Sequence, residues 1–417
     1  MKRKLLIIAG AGASVQFGLP SVGEVDKLLD TCASSWYPLD TDVNSNLYRY
    51  VRDAVDAYYA QIPKPALRKQ ANFEEVLYQL YSLVPHYSDP AFTHGANALL
   101  QAMKLPDVRM QGRTPAKAVD GHTLRHLASV LIDAIVDDFI NKSARAATAK
   151  TQEIELLRTF FSALSEEFDI GFITLNYDNI IMQALPGLFT GFDAHGNFDP
   201  LSVMTREDWR FIYHLHGSIH FAMKGTSSDI HRISWEPRPT SNHVVQASGR
   251  NTQASLEGMQ YPTSPIIAGY GKTVQLLRQP FITYFAQANK LANEADSLLF
   301  LGYGFADPHL NATFSEVRQR RRPAVVVTWG NDDPENGPLD DALAWRQDAW
   351  SHNLLNVLPA NPTRMSKPGF CIPFSVRDYK EANECEVSND DAHPLAIWYG
   401  GMLEACRHPE KILSYLR

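Results

Sequence analysis

The chain has few cysteines, no long apolar run and no excess of basic residues, and each absence argues against a class of protein. None of its four cysteines, Cys32, Cys371, Cys385 and Cys406, forms a C-x-x-C pair, so the spacing predicts no zinc site. Scattered thiols in a chain of this length are typical of the reducing cytoplasm, where we expect the protein to lie. No stretch approaches the roughly 18 apolar residues of a membrane span, so we expect no membrane association.

The charge balance is acidic, with 39 Lys and Arg residues against 46 Asp and Glu residues and a net charge of −7. Binding to nucleic-acid phosphates requires a basic face, so we expect no direct nucleic-acid binding. Apolar residues are plentiful, at 45% of the 417 residues, with 11% aromatic residues. This composition is ample for a packed core in one large domain with insertions or in two smaller domains.

Short aliphatic runs followed by glycine or polar residues predict strands that are buried on both faces of a parallel sheet. Helical patterns separate these runs, including patterns that begin near residues 22 and 178 and others over 274–293 and 308–318. The alternation predicts an α/β fold with a doubly wound, Rossmann-like and mostly parallel sheet. The strand runs lie at 5–9, 169–175, 211–215, 297–301 and 323–328.

The remaining segments predict how the chain is divided. Residues 1–330 are expected to form the catalytic domain. Within it, residues 33–165 are read as a helical insertion, and the Ser-, Thr-, Asn- and Pro-rich residues 222–264 as a loop or small hairpin module. Residues 331–417 are expected to form a C-terminal extension suited to assembly, with helical patterns near 339–354 and 395–416.

A glycine-rich turn, GAGAS at Gly10–Ser14, follows the first predicted strand. A strand that runs through such a turn into a helix lets backbone N–H groups approach a pyrophosphate. The alternative is a tight turn without a ligand. The spacing is not G-x-G-x-x-G, and no second strand ending in an acidic residue follows about 20 residues later, which argues against hydride transfer.

Three further motifs follow predicted strands, where open α/β sheets place ligand-binding groups. In TLNYD, Asn176 and Asp178 are candidate catalytic residues, although they could instead turn the chain and cap the next helix. In HLHGS, His216 is a candidate general base. In GYGFAD, the glycines permit backbone contact with a nucleotide, and Asp307 is expected to cap the helix that begins at Pro308.

The histidines near His216 raise the alternative of a metal site. His214 and His220 lie two and four residues from it, but no carboxylate or cysteine follows at ligand spacing. We therefore predict no metal and interpret His214 as a core histidine with a satisfied hydrogen bond.

Taken in order, the four motifs resemble those of the sirtuin family. The resemblance covers about residues 1–30 and 165–330 and implies that NAD⁺ is the substrate. It places the nicotinamide ribose beside Asn176 and Asp178, with His216 as the base. It implies a pyrophosphate lined by Gly10, Ala11, Gly12 and Ser14, and an adenosine side lined by Gly302, Gly304 and Phe305.

The chain also departs from the protein-deacylating sirtuins. These usually carry a four-cysteine zinc module soon after the catalytic histidine, whereas residues 217–300 contain no cysteine. The segment GLPS also lacks the Asp-Phe-Arg that follows in deacylases. In these respects the chain is similar to the bacterial sirtuin-like effectors of anti-phage defence, which hydrolyse NAD⁺. That resemblance implies a homo-oligomer and pairing with a HerA-type ATPase.

Three functions therefore remain open. The leading hypothesis is an NAD⁺ glycohydrolase that releases nicotinamide and ADP-ribose. The alternatives are an NAD-dependent protein-lysine deacylase and a non-catalytic sensor of NAD or ADP-ribose.

Overall fold

The structure is a computed structural model. It describes residues 2–63, 70–87, 104–224, 232–240, 252–254, 260–262, 264–269, 272–318, 320–330, 350, 353–358, 373–388, 391 and 393–417. Among these residues, no helix is both long enough and apolar enough to cross a bilayer.

Eleven strands are found in the described residues, seven of them in one sheet and four in two small hairpins. Their bounds are β1 Arg3–Ala9, β2 Phe168–Thr174, β3 Ile212–His214, β4 Phe221–Lys224, β5 Arg232–Trp235, β6 Thr252–Ala254, β7 Gln260–Pro262, β8 Ser297–Leu301, β9 Ala324–Val327, β10 Glu386–Val387 and β11 Leu395–Trp398.

The central sheet has the strand order β10-β11-β9-β8-β1-β2-β3. Every neighbouring pair is parallel except β10 with β11. In β1, Ala9 lies opposite Thr174 of β2 on one side and Leu301 of β8 on the other. The chain thus builds the sheet outward from β1 first in one direction and then in the other. The predicted doubly wound, mostly parallel sheet is confirmed, and its switch point lies between β1 and β8.

Strand β1 shows why an unbroken apolar run becomes a central strand. Its residues Leu5–Ala9 are fully buried. Leu5 and Ile7 belong to the hydrophobic core on one face of the sheet, whereas Leu6 and Ile8 belong to the core on the other. Because successive side chains point to opposite faces, a strand covered on both sides must be apolar throughout.

Fourteen α-helices with defined bounds accompany these strands in the described residues, together with two 3-10 helices, Val84–Tyr87 and Met110–Gly112, and a helical segment at 353–357. Their bounds are α1 Gly12–Val15, α2 Val22–Trp36, α3 Leu47–Ala60, α4 Phe73–Leu83, α5 Gly121–Ala149, α6 Thr151–Glu167, α7 Ile180–Ala184, α8 Pro200–Met204, α9 Thr273–Leu276, α10 Phe281–Glu294, α11 Pro308–Glu316, α12 Pro373–Ala382, α13 Gly401–Arg407 and α14 Pro409–Leu416.

The helix starts follow local side-chain chemistry. Ser21 and Glu24 form a capping box at the start of α2, so that both side chains bond to backbone N–H groups.

The single helix predicted over 274–293 is wrong, because the chain forms α9 and α10 on either side of Pro280. A proline inside a helix lacks the N–H donor and clashes with the preceding turn, so the helix restarts after it.

The described part of residues 33–165 is largely helical and packs directly on the sheet. Helix α5 packs against α2 and α4, and its Leu124 and Leu127 belong to the same core as Leu5 of β1. Residues 64–69 and 88–103 of the predicted insertion lie outside the described residues.

The C-terminal residues contribute to the same sheet, and the helical pattern predicted near 395–416 is wrong at its start, because Leu395–Trp398 forms β11. Strand β11 pairs with β9, so that Trp398 lies opposite Val327. Helices α13 and α14 both pack against α6. Most of the predicted helix at 339–354 lies outside the described residues, as does much of the predicted module at 222–264, of which the hairpins β4–β5 and β6–β7 are described.

Candidate active site

A cavity of about 730 Å³ lies at the carboxyl ends of β1, β2, β3 and β8, beside the switch point of the sheet. The loops after these strands come together there because parallel strands end at one edge of the sheet. The predicted site residues that line the cavity are Gly10, Ala11, Gly12, Ser14, Asn176, Asp178, His216, Gly302 and Gly304.

Two glycine-containing loops touch each other at the floor of this cavity. The Gly10 N–H donates to the Leu301 carbonyl at 2.9 Å, and the Gly12 N–H donates to the Gly302 carbonyl at 3.0 Å. Gly302 has a φ of 56°, and a Cβ there would lie 2.0 Å from the Ala13 nitrogen. The glycines at these positions are therefore required first by the contact between the loops.

This contact bears on the prediction that backbone N–H groups of the first glycine loop face a pyrophosphate, because several of these groups already have acceptors within the protein. The N–H groups of Gly10, Gly12, Ala13 and Ser14 all donate to protein carbonyls. What the loops offer to a ligand is exposed backbone at Ala11 and Gly12, together with open space at Gly304, where no atom lies within 4 Å of a would-be Cβ.

Asn176 follows β2 and is held by the first glycine loop. Its Nδ2 donates to the Gly10 carbonyl at 2.9 Å and to Ser14 Oγ at 3.0 Å. Because a carbonyl can only accept, the amide group must turn its NH₂ towards Gly10. Its Oδ1 is thereby left to accept a hydrogen bond from a bound molecule.

The two carboxylate oxygens of Asp178 differ in their contacts. Its Oδ1 accepts from the Ile180 N–H at 3.0 Å, at the start of α7. Its Oδ2 has no hydrogen-bond partner among the described residues. Burial raises the pKa of Asp178, and the Ile180 N–H and the nearby Ser14 hydroxyl offset this only in part. The buried carboxylate would be stabilised by a cation placed beside its free oxygen.

His216 lies in the tight turn after β3. The next residue, Gly217, has a φ of 95°, and a Cβ there would lie 2.2 Å from the Pro265 carbonyl oxygen. The His216 carbonyl accepts from the Ile267 N–H at 2.8 Å, which ties the turn to a neighbouring segment. Only glycine fits the position that follows the histidine.

The His216 ring contacts Asp307, with 3.0 Å between Nε2 and Oδ2, although Nε2 makes no hydrogen bond of good geometry among the described residues. Burial lowers the pKa of His216, as does the Lys272 ammonium, while Asp307 and Glu74 act in the opposite direction. The pKa remains below its usual value, so the imidazole is neutral near pH 7 and able to accept a proton.

Asp307 performs the predicted capping role through its other oxygen. Its Oδ1 accepts from the Leu310 N–H at 2.9 Å, and Pro308 begins α11. Burial alone would raise the pKa of Asp307. Its contacts with His216, the Lys272 ammonium and the Leu310 N–H instead hold that pKa well below its usual range. The capping prediction is confirmed, and the contact with His216 was not foreseen.

Two further charged residues of the cavity wall also escaped prediction. Lys272 Nζ lies 3.8 Å from Asp307 Oδ2 and 3.3 Å from Glu74 Oε2. Glu74 belongs to α4 of the helical insertion, which the sequence had not assigned to the site. No local motif marks either residue, since their contact joins positions 198 residues apart.

An apolar part of the cavity wall also comes from the insertion. Phe73 of α4 lines the cavity together with Ile135 and Phe139 of α5. The Phe139 ring packs edge-on against Tyr177, whose hydroxyl donates to the Ile267 carbonyl at 2.9 Å. The insertion therefore shapes the cavity as well as covering one face of the sheet.

Phe305 is the one predicted site residue that does not line the cavity. It has a φ of 53°, and its ring is fully buried against Phe300 and Tyr303. Its carbonyl accepts from Asn311 Nδ2 at 2.7 Å. The backbone thus turns the ring into the hydrophobic core and away from the cavity.

The neighbouring histidines have separate surroundings. His214 is fully buried near the rings of Phe221 and Trp235, and burial lowers its pKa to about 3. Neither of its ring nitrogens has a hydrogen-bond partner of good geometry in the described part of the chain, although the nearby Asn176 backbone acts to raise the pKa. His220 contacts the Glu236 carbonyl through Nδ1 at 2.7 Å. Among the described residues, no group of three or more His, Cys, Asp or Glu side chains could hold a metal ion.

Part of the chain matches a known family model. Residues 171–350 match the family model described as a SIR2-like domain. The matched range contains Asn176, Asp178, His216 and the segment 302–307. It does not include the Gly10–Ser14 loop, which the fold brings to the same cavity.

A comparison with curated proteins finds no match. Among solved structures, a Sir2 homologue in complex with NAD is 12% identical, with a TM-score of 0.33, and the alignment covers 84% of this chain and 90% of that chain. A Sir2 homologue that carries three substitutions, in complex with 2′-O-acetyl ADP-ribose, is 13% identical, with a TM-score of 0.32. That alignment covers 84% of this chain and 92% of the homologue. A Sir2 protein with an inhibitor, 2′-O-acetyl-ADP-ribose and a deacetylated peptide is 11% identical, with a TM-score of 0.33 and coverages of 99% and 95%.

Proposed function

We propose that the protein is an NAD⁺ glycohydrolase, which cleaves the bond between nicotinamide and ribose with water and releases nicotinamide and ADP-ribose. The observation that carries this proposal is the meeting of Asn176, Asp178 and His216 with both glycine loops at one cavity. The match to the SIR2-like domain supports NAD⁺ as the substrate. The cavity of about 730 Å³ falls in the range of small-molecule sites, roughly 300–1,000 Å³.

The chemistry of NAD⁺ suits these residues. Nicotinamide is already a cationic leaving group, so its departure needs no general acid. The ribose then develops positive charge, as in glycoside hydrolysis, where a carboxylate stabilises a similar transition state. The free Oδ2 of Asp178 is suited to this task because it is buried and has no hydrogen-bond partner among the described residues.

The remaining step is the activation of water. Asn176 Oδ1 is free to accept a hydrogen bond from the water or from a ribose hydroxyl, since its NH₂ is held by Gly10 and Ser14. The neutral His216 is suited to remove a proton, either from the water directly or through a ribose hydroxyl. In this mechanism no protein metal is required.

Hydrolysis is favoured over deacylation by a feature of the sequence. Residues 217–300 contain no cysteine, in the region where protein deacylases of the sirtuin family usually carry a zinc module. The resemblance to bacterial sirtuin-like effectors supports a cytoplasmic role in anti-phage defence through NAD⁺ depletion. It also supports a homo-oligomer and a HerA-type ATPase as partner. Such an effector must be restrained until it is triggered, since constitutive cleavage would kill the host.

The test is to incubate the purified protein with NAD⁺ and to measure nicotinamide and ADP-ribose, with and without an acetylated peptide. We expect release that is independent of the peptide and is abolished in Asn176→Ala and His216→Ala. Release only in the presence of peptide would establish a deacylase instead. Tight binding of NAD⁺ without turnover, unchanged by His216→Ala and by addition of the ATPase, would establish a sensor.

A further inference from the structure

Four ionisable side chains lie in sequence between the turn after β3 and the helical insertion, beginning with His216. Asp307 lies between His216 Nε2, at 3.0 Å, and Lys272 Nζ, at 3.8 Å. Lys272 in turn lies 3.3 Å from Glu74 of α4. The side chains of His216, Lys272 and Asp307 are each at most 8% exposed, so these contacts are shielded from water.

We propose that Asp307 is a positioning residue that keeps the proton of His216 on Nε2 and so leaves Nδ1 as the basic nitrogen of the site. This inference rests on the proposed function only for the role of His216 as a base. The assignment of the proton follows from the short distance between His216 Nε2 and the Asp307 carboxylate.

The argument begins with hydrogen-bonding capacity. Nε2 and Asp307 Oδ2 lie 3.0 Å apart, although the direction of the contact does not meet the geometry of a full hydrogen bond. An ionised carboxylate can only accept, and a ring lone pair at this distance would be repelled by it, so the proton is favoured on Nε2. A neutral imidazole carries a single proton, so its other nitrogen has the free lone pair. When Nδ1 takes a proton from water or from a ribose hydroxyl, the resulting imidazolium is stabilised by the adjacent carboxylate.

Asp307 is itself held so that it cannot turn away. Its Oδ1 is occupied by the Leu310 N–H at the start of α11, and its Oδ2 faces both His216 and Lys272. The Lys272 ammonium favours the ionised carboxylate, and Glu74 holds that ammonium from the insertion. The orientation of the base thus depends on residues from two distant parts of the chain.

The decisive variant is Asp307→Asn. Asparagine caps helices as well as aspartate does, so its Oδ1 can still accept from the Leu310 N–H. Its NH₂ group would then face His216 and would require an acceptor, which moves the ring proton to Nδ1. We expect kcat for NAD⁺ cleavage to fall by about 100-fold or more, the usual range for loss of a general base, with little change in KM.

A matched control is Asp199→Asn. Asp199 is exposed, precedes Pro200 and caps α8 as Asp307 caps α11, but it does not line the cavity. We expect its kcat and KM to equal those of the unsubstituted protein. A double variant, His216→Ala with Asp307→Asn, should be no less active than His216→Ala alone, because Asp307 acts through His216.

A second readout does not depend on activity. Nitrogen NMR of protein labelled with ¹⁵N-histidine distinguishes the two tautomers, and His216→Ala identifies the His216 signals. We expect protonated Nε2 in the unsubstituted protein and protonated Nδ1 in Asp307→Asn. Protonated Nδ1 in the unsubstituted protein, or unchanged kcat in Asp307→Asn, would overturn the proposal. The expected tautomers in a protein that never cleaves NAD⁺ would leave this inference standing and refute the glycohydrolase.

Discussion

Asn176 and Gly10, which are 166 positions apart in the chain, are joined by a hydrogen bond of 2.9 Å from the asparagine amide to the glycine carbonyl. The bond links the ends of the neighbouring parallel strands β1 and β2 at the point where the cavity opens. The side chain that we assign to the sugar and water is therefore also part of the wall that holds the first glycine loop.

Asn176→Ala should accordingly affect both stability and activity. The substitution removes the bonds to Gly10 and to Ser14, and we expect a loss of about 1–3 kcal/mol in the free energy of unfolding. NAD⁺ cleavage should fall at least tenfold in protein that is still folded. Denaturant unfolding and single-turnover assays measure the two effects, with Asn293→Ala on the exposed face of α10 as the control. Full activity in folded Asn176→Ala would contradict the assigned role.

Lys272→Met should move the pH dependence of the reaction. Lysine lowers the pKa of His216, whereas Asp307 and Glu74, the other charged groups that face the ring, raise it. Removal of the ammonium therefore raises the pKa of His216, and the acid limb of kcat/KM should move to higher pH. In Asp307→Asn the pKa of His216 should fall, so the acid limb of the residual kcat/KM should move to lower pH. Identical profiles in all three proteins would show that these charges do not act on the base.

His214 should make the fold sensitive to acid. Its pKa is about 3 in the folded protein, because of burial first and the nearby His220 second, against roughly 6.5 in the unfolded chain. Between these values the unfolded state binds more protons, so stability falls as the pH falls. From pH 7 to pH 5 this group should remove about 2 kcal/mol from the free energy of unfolding. His214→Phe should lose that part of the pH dependence, whereas His195→Gln, at an exposed histidine, should retain it.

Alanine substitutions at the two glycines of the second loop should have different effects. Gly302→Ala should lower stability, whereas Gly304→Ala tests for contact with the ligand. At Gly302 the φ of 56° and the contact of 2.0 Å with the Ala13 nitrogen leave no room for a methyl group. We expect a loss of about 1–3 kcal/mol or more. At Gly304 a methyl group meets nothing within 4 Å and projects from exposed backbone at the cavity wall, so the melting temperature should hold. A raised KM for NAD⁺ in Gly304→Ala would support a nucleotide contact there, and an unchanged KM would argue against it.

Phe305 offers a test of the adenosine assignment implied by the resemblance. Because its ring is fully buried, Phe305→Ala should cost about 3–5 kcal/mol in unfolding free energy. Phe305→Leu retains much of the apolar volume and should keep KM for NAD⁺ within about twofold, since the ring does not line the cavity. A large rise in KM for Phe305→Leu at normal stability would instead restore the predicted contact.

Much of the architecture follows from local patterns. The run Leu5–Ala9 is apolar at every position, which is the requirement for a strand buried on both faces, and this burial was predicted. The capping box of Ser21 and Glu24 likewise acts over three residues. The single helix predicted over 274–293 failed at Pro280, where the missing N–H and the ring clash outweigh the helical periodicity on both sides.

The candidate site was predictable only where its residues directly follow strands. Asn176, Asp178 and His216 stand out because the carboxyl ends of parallel strands meet at one edge. Glu74 and Lys272 do not follow strands, so no local pattern marks them as site residues. They reach the cavity only because distant parts of the chain pack together in the fold. The contact of Asp307 with His216 could not be predicted either. The sequence pattern around Asp307 already accounts for it as a helix cap, and so gives no reason to expect a second contact.

The sequence by itself determined the alternation of strands and helices as far as β9, the glycine turns and the polar residues that follow β1, β2, β3 and β8, because these depend on interactions between near neighbours in the chain. Only the tertiary structure decided which carboxylate faces His216, that Phe305 turns into the core and that the insertion supplies a wall of the cavity. These outcomes depend on side chains far apart in the chain, whose distances and burial are set when the two cores pack against the sheet.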